Sequence, residues 1–145
     1  MTDIDPPIRP DLLEKALEWA LRIPGLEVFF LTRTPTRMRE YISMSVPLYM
    51  EHAFGYISFM PKPYRETNGK WYLQNESEIY FLDSLEEEDV YGYAGYEMGL
   101  LIVDNPSMFT NFQLKYMETR VRIPSYLDLD VPLDCRDMIP GIIYD

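Results

Sequence analysis

The chain has one cysteine, Cys135, and one histidine, His52, among its 145 residues. A lone cysteine excludes an intramolecular disulfide, and one Cys with one His falls short of the four N or S ligands a structural zinc site takes. Neither a metal nor a cofactor is expected. Long apolar runs are also missing: none nears the roughly 18 residues of a membrane span, and the N-terminus has neither the basic nor the apolar region of a secretory signal. The expectation is a cytoplasmic protein that makes no membrane contact. Basic residues are scarce, 13 Lys and Arg against 24 Asp and Glu, for a net charge of -11. Phosphate contacts need clustered Lys and Arg, so no direct nucleic-acid binding is expected. A protein partner, basic or part of a nucleic-acid-binding complex, fits the charge better, and the same charge also serves plain solubility.

What is present is core material. Hydrophobic residues make up 47% of the chain and aromatics 14%, enough for one packed interior at this length, so residues 1–145 read as a single domain. Thr2–Pro10, with three prolines and two aspartates, reads as an extended arm over residues 1–10. Asp11 is placed to cap a helix in which Leu12, Leu13, Ala16, Leu17, Ala20 and Leu21 recur at helical spacing, up to Pro24-Gly25. Leu26–Thr32 is a nearly all-apolar run, the pattern of a strand covered on both faces. Pro35 to about Phe54 forms a second helix that Pro47 must kink or end. Three strands are expected at Tyr56–Met60, Lys70–Gln74 and Glu78–Leu82, separated by Pro61-Lys62-Pro63 and Asn75-Glu76-Ser77, the last two forming a hairpin. After the acidic Glu86–Asp89 stretch, Gly99–Val103 is another buried-type strand, Phe109–Val121 a third helix with Arg120 and Arg122 in its last turn, and Leu133–Ile139 a final strand. Helices alternating with apolar strands predict a three-layer α/β domain, its sheet mostly parallel with an inserted antiparallel hairpin.

The stretch Gly69–Arg122, GKWYLQNESEIYFLDSLEEEDVYGYAGYEMGLLIVDNPSMFTNFQLKYMETRVR, carries a likeness. It strongly resembles the core of phage terminase large subunits, in which an aromatic strand and an "S-x-I-x-F" strand lead to an acidic segment, a Walker B strand ending in Asp-Glu, and a helix of the type "F-T-x-x-Q-x-x-Y-L-x-x-R-x-R". Upstream, ALEWALRIPGLEVFFLTRT resembles the helix after the Walker A loop and the strand that follows. The likeness covers about Leu12–Arg122 and implies a partial P-loop-NTPase-like sheet, a phage or mobile-element origin and a location in the host bacterial cytoplasm.

Departures from the family pattern shape the functional expectation. A P-loop needs glycines whose N–H groups cradle phosphate, a Lys, and a Ser or Thr for magnesium. The corresponding segment here is Asp3-Ile4-Asp5-Pro6-Pro7-Ile8-Arg9-Pro10, whose prolines lack N–H donors and whose aspartates repel phosphate. Asp104 matches the Walker B aspartate, but the family's catalytic Glu is replaced by Asn105, which cannot act as a general base. The coupling motif corresponds at best to Asp137–Gly141, and the nuclease domain has no counterpart. The resemblance therefore implies no ATP hydrolysis. Asp104 is read as a strand-end cap more than as a metal ligand. Arg33 and Arg37 stand near the family's nucleotide-facing end, placed either to hold an anion or a partner's carboxylate or, more simply, to add surface solubility.

The expected activity is binding. Two surfaces are candidates: the acidic segment Glu86, Glu87, Glu88 and Asp89, and an exposed sheet edge at Leu133, Cys135, Asp137 and Ile139, left open because the chain starts too late to supply the P-loop strand. The arm, the Ile142-Ile143-Tyr144 tail, a second copy in a homodimer or a foreign partner would cover that edge. Tyr91, Tyr93, Tyr96, Phe109 and Phe112 read as structural residues or as a sticky patch. The functional expectation is an inhibitor or decoy of a host defence complex, such as a CRISPR effector, or of DNA packaging. The alternatives are one piece of a split terminase large subunit and a regulatory subunit of the packaging motor.

Overall fold

The computed structural model describes residues 6–43, 62–65, 70–73, 76–122 and 139–145. Helix α1 (Pro10–Arg22) is followed by β1 (Glu27–Thr32), α2 (Pro35–Ile42), β2 (Lys62–Arg65), β3 (Lys70–Tyr72), β4 (Glu78–Asp83), a 3-10 helix (Glu87–Tyr93), β5 (Leu100–Val103), a second 3-10 turn (Pro106–Met108), α3 (Asn111–Glu118) and β6 (Gly141–Tyr144). The strands form one six-stranded sheet in the order β2-β3-β4-β1-β5-β6. Strands β4, β1, β5 and β6 run parallel, while β2 and β3 add an antiparallel edge.

Alternation along the central strands sorts the interior into two clusters, because successive side chains of a strand point to opposite faces. Val28 and Phe30 of β1, Ile79 and Phe81 of β4, and Leu100 and Ile102 of β5 pack on one face beneath α1 and α2. Phe29, Leu31, Leu82, Leu101 and Val103 point the other way, against Val90 of the 3-10 helix and Met117 of α3. That makes three layers of the expected α/β kind. Helix α1 seals the first face with Leu12, Leu13, Ala16, Leu17 and Ala20, all fully buried. Each such Leu contributes roughly 1.5–3 kcal/mol of apolar burial.

Several boundaries differ from the sequence reading. Helix α1 starts at Pro10, with Arg9 at the cap position, so Asp11 lies in the first turn and does not cap. Proline suits that first position, where an N–H would lack a helical partner anyway. Lys62 and Pro63, read as part of a separating segment, lie in β2. Pro63 is tolerated there because β2 is an edge strand, which need not donate on its outer side. Helix α2 is regular only as far as Ile42, with Thr34 capping it by accepting from the Arg37 N–H. Helix α3 is shorter than expected and buries Gln113 and Met117, while Phe112 faces out, and Arg120 and Arg122 come after its last turn. Thr110 and Gln113 cap α3 reciprocally, Gln113 N–H to the Thr110 hydroxyl at 3.2 Å and Thr110 N–H to the Gln113 carbonyl at 2.9 Å.

The strand paired with β5 is Gly141–Tyr144. Ile139 is buried ahead of it, and the tail proposed as a cover for the edge is the edge strand itself. Leu133, Cys135, Asp137, His52, the Tyr56–Met60 strand and residues 1–5 of the arm lie outside the described residues. No helix among the described residues is long and apolar enough to cross a membrane.

Candidate functional site

In open α/β sheets, ligands gather at the carboxyl ends of the parallel strands. Here those ends bring together Asp104 after β5, Arg33 after β1, Ser84 after β4 and Asp145 after β6, with the start of α1 lying across them. Asp104 is fully buried. The Arg37 Nε donates to its Oδ2 at 2.9 Å, and Nη2 lies 2.8 Å from the same oxygen. The second contact is an ion pair without hydrogen-bond geometry. The other oxygen, Oδ1, accepts from the Tyr41 hydroxyl at 3.1 Å. Arg37 and Tyr41 are one helical turn apart on α2, so both reach the same carboxylate from one face.

The segment before α1 closes the arrangement from above. Arg37 also donates to the Pro6 carbonyl. The Arg9 N–H donates to the Tyr41 oxygen at 2.8 Å, which gives that phenol one bond in and one bond out. The Arg9 side chain reaches Asp145 at 2.6 Å and Asp11 at 2.6 Å, and Lys15 joins at 3.2 Å from Asp145. These ion pairs are partly exposed, and the Arg9 guanidinium holds the Asp11 and Asp145 carboxyls below the usual carboxylate range. Burial, reinforced by the nearby Asp104 charge, pushes the Tyr41 hydroxyl up to about 12.

A second knot lies beside the first. Arg33 donates to the carbonyls of Met108, at 3.0 Å, of Ser84, at 2.9 Å, and of Leu85. The buried Gln113 amide donates to the Ser84 carbonyl at 3.1 Å and hydroxyl at 2.9 Å. Thr32, also buried, donates to the Leu82 carbonyl at 2.9 Å. Asn105 sits in left-handed backbone at φ 55°, and its side-chain oxygen accepts from Ser107 at 2.7 Å.

Both oxygens of the strand-end carboxylate are engaged within the chain, Oδ2 by the Arg37 guanidinium and Oδ1 by the Tyr41 hydroxyl. Among the described residues no group of three or more His, Cys, Asp or Glu is placed to hold a metal ion. Arg33 and Arg37, read as surface residues or as holders of a foreign anion, instead bind the chain's own carbonyls and its own carboxylate. The sequence offers no signal for the Arg37–Asp104 pair beyond the positions of the two residues on a helix and at a strand end.

The acidic segment is partly structural. The Glu86 N–H donates to Asp89 at 2.8 Å, and Glu87 accepts from the Thr110 hydroxyl at 3.2 Å, fastening the 3-10 helix to α3. The aromatic residues divide. Tyr93 and Tyr96 pack against the second cluster and Phe109 lies within it, whereas Tyr91 and Phe112 are exposed. Those two, with Tyr116, form a cluster with ring centroids 5.2–6.3 Å apart. Tyr91, Phe112, Glu87 and Glu88 line a hollow of about 300 Å³.

Compared with protein-family models, curated proteins and solved structures, the chain matches none.

Proposed function

We propose that this chain is a relative of the terminase ATPase domain that has lost nucleotide chemistry and acts by binding another protein. The observation that carries the reading is the internal salt bridge at Asp104: the residue in the Walker B position has both oxygens engaged by Arg37 and Tyr41. The Pro-rich segment standing where a P-loop would be lends its Pro6 carbonyl to the same arginine.

The surface for the partner is the exposed pair Tyr91 and Phe112, backed by the partly buried Tyr116, beside Glu87 and Glu88. Exposed aromatics anchor interfaces, and the carboxylates select a basic face, in keeping with inhibition of a nucleic-acid-binding host defence or packaging complex. Immobilised chain exposed to lysate of a bacterial host should retain one stoichiometric partner, and Glu87→Lys with Glu88→Lys should release it. Calorimetry with ATP and magnesium should give no saturable heat. Recovery of no partner, or saturable ATP binding, overturns the reading.

The edge position of β6 favours a second reading, in which another polypeptide sets a P-loop strand alongside it as part of a split packaging ATPase. Turnover of ATP on mixing the chain with such a polypeptide would establish it. A second copy pairing edge to edge would instead appear as a dimer in light scattering.

A further inference from the structure

Two hollows among the described residues combine aromatic rings with carboxylates, and they differ in what the chain itself already engages. The larger, about 410 Å³, lies where the parallel strands begin and is lined by Glu27, Phe29, Tyr80, Gly95, Tyr96 and Glu97. Its groups have partners within the chain. Glu27 accepts from the Tyr80 hydroxyl at 2.9 Å, and Glu97 pairs with Arg122 at 3.4 Å. The Tyr80 ring is stacked on Phe29 at 4.6 Å and has the Lys70 ammonium 4.8 Å from its centroid.

The smaller hollow, about 300 Å³, lies between the 3-10 helix and α3 and is lined by Glu87, Glu88, Tyr91 and Phe112. Roles within its acidic segment are divided. Asp89 accepts from the Glu86 N–H at 2.8 Å, and one oxygen of Glu87 accepts from the Thr110 hydroxyl at 3.2 Å. Glu88 forms no hydrogen bond or ion pair among the described residues. The nearby Arg120 is engaged elsewhere, donating to the Ala94 carbonyl and, at 3.1 Å, to the Thr119 hydroxyl. Tyr91 and Phe112 touch at 5.8 Å between centroids, yet 56% and 40% of their surfaces stay open to solvent.

The chemistry of the occupant follows from these groups. An anion is repelled by Glu87 and Glu88, and an apolar side chain would strip water from Glu88 without returning a hydrogen bond. A cation is left. Residues three apart in a 3-10 helix eclipse one another, so Glu88 and Tyr91 stand side by side on one face. A flat cation lying on the ring can therefore reach the carboxylate in its own plane. Guanidinium meets that demand: it is planar, weakly hydrated, stacks on aromatic faces and donates through a rigid fork, whereas ammonium is a compact, strongly hydrated point charge.

We infer that this hollow receives an arginine side chain of a partner protein, its guanidinium stacked on Tyr91 and paired with Glu88, and its methylene stem against Phe112. The inference rests on the partner-binding reading above and names the chemistry that the partner presents.

The test is titration of the intact chain with an acetylated, amidated Gly-Arg-Gly-Arg-Gly peptide, followed by the ring-proton NMR shifts of Tyr91 and Phe112. The same peptide with lysine, and with citrulline as the neutral isostere of arginine, are the controls. Saturable shifts with the arginine peptide are expected, with binding about threefold weaker for lysine and absent for citrulline. Glu88→Gln should weaken binding about fivefold, the worth of one exposed ion pair. Tyr91→Leu, read at Phe112, should weaken it about threefold through the lost attraction of the ring for the cation. Glu18→Gln, an equal loss of charge on the exposed side of α1, should leave it unchanged. No saturation, equal binding of the lysine or citrulline peptide, or a loss in Glu88→Gln no greater than in Glu18→Gln overturns the inference. A lysate partner retained by a chain that does not bind the arginine peptide overturns it and leaves the partner-binding reading standing. Binding of the arginine peptide without any retained partner supports it and overturns that reading alone.

Discussion

The two ends of the parallel strands solve opposite problems. At the carboxyl end the polar groups are turned on one another: Asp104 is buried against Arg37 and Tyr41, and Arg33 and Gln113 are bonded to neighbouring carbonyls. At the amino end, Glu27 and Glu97 line a hollow beside a stacked aromatic wall. The comparison teaches that polar groups at the usual ligand-binding end of an α/β sheet can be turned on one another.

The largest effect should come from breaking the closed end. Arg37→Ala leaves the Asp104 carboxylate buried without its counter-charge and should cost about 3–5 kcal/mol in urea unfolding. Replacing both partners, Arg37→Met with Asp104→Leu, should cost far less, because no uncompensated charge remains. If the single and double variants are equally damaged, the pair is not the organising contact.

Tyr41→Phe comes next. It strips a partner from the Arg9 N–H and from Asp104 Oδ1 while keeping the ring, and should cost about 1–3 kcal/mol in the same measurement. Its alkaline behaviour sharpens the point. Tyr41 ionises near 12 in the folded chain against an ordinary value of 10.0, so its contribution is fully present below pH 10 and is lost as pH rises through that interval. The Phe variant should lack this part of the alkaline fall in stability, read from unfolding midpoints across the range.

Thr110→Ala should cost about 1 kcal/mol by removing the cap of α3. It should also loosen the 3-10 helix, since the same hydroxyl donates to Glu87. Amide exchange at Gln113 reports the first effect and exchange across Glu87–Tyr93 the second.

The smallest effect belongs to the amino end. Burial raises the Glu27 carboxyl, so its contribution to stability is fully present below the ordinary value of 4.5 and is lost as pH rises through the folded value. Ionised Glu27 is thus a net cost at neutral pH. Glu27→Gln should be neutral to mildly stabilising there and should lose that advantage near pH about 4, as measured by thermal unfolding at the two conditions. A destabilising Glu27→Gln would mean that the bond from the Tyr80 hydroxyl outweighs the cost of burial.

Much of this architecture was legible in the residues, and what was not has physical reasons. Runs such as EVFFLT and LLIV declare buried strands because every position is apolar, and α1 declares its face because its apolar period is unbroken. The hairpin of β3 and β4 followed from two β-rich runs about a turn apart. Strand β2 was hidden by Pro63, which rules out a central strand but not an edge one. The buried face of α3 was not legible because a polar residue, Gln113, occupies it, its amide donating to Ser84 and Glu86 in the segment that follows β4. The strand-end cluster was half legible. Asp104 and Asn105 stood out by resemblance, whereas the Arg37–Asp104 contact spans 67 positions of sequence and exists only once α2 packs against β1 and β4. The amino-end pocket gave no local signal, since its lining comes from three separate stretches of chain.

Asn105 gives the strand end a direction in time. At φ 55° and ψ 79° it occupies left-handed backbone, a region Asn enters more readily than Glu. Returning a glutamate to position 105 would meet a backbone penalty of roughly 1–2 kcal/mol before any chemistry could be selected, and its carboxylate would arrive beside an aspartate already claimed by Arg37. Under the proposed ancestry the path back to a hydrolase therefore runs uphill through several simultaneous changes. On that ancestry the backbone at this residue would act as a ratchet, leaving the chain freer to elaborate its surface than to regain such a reaction.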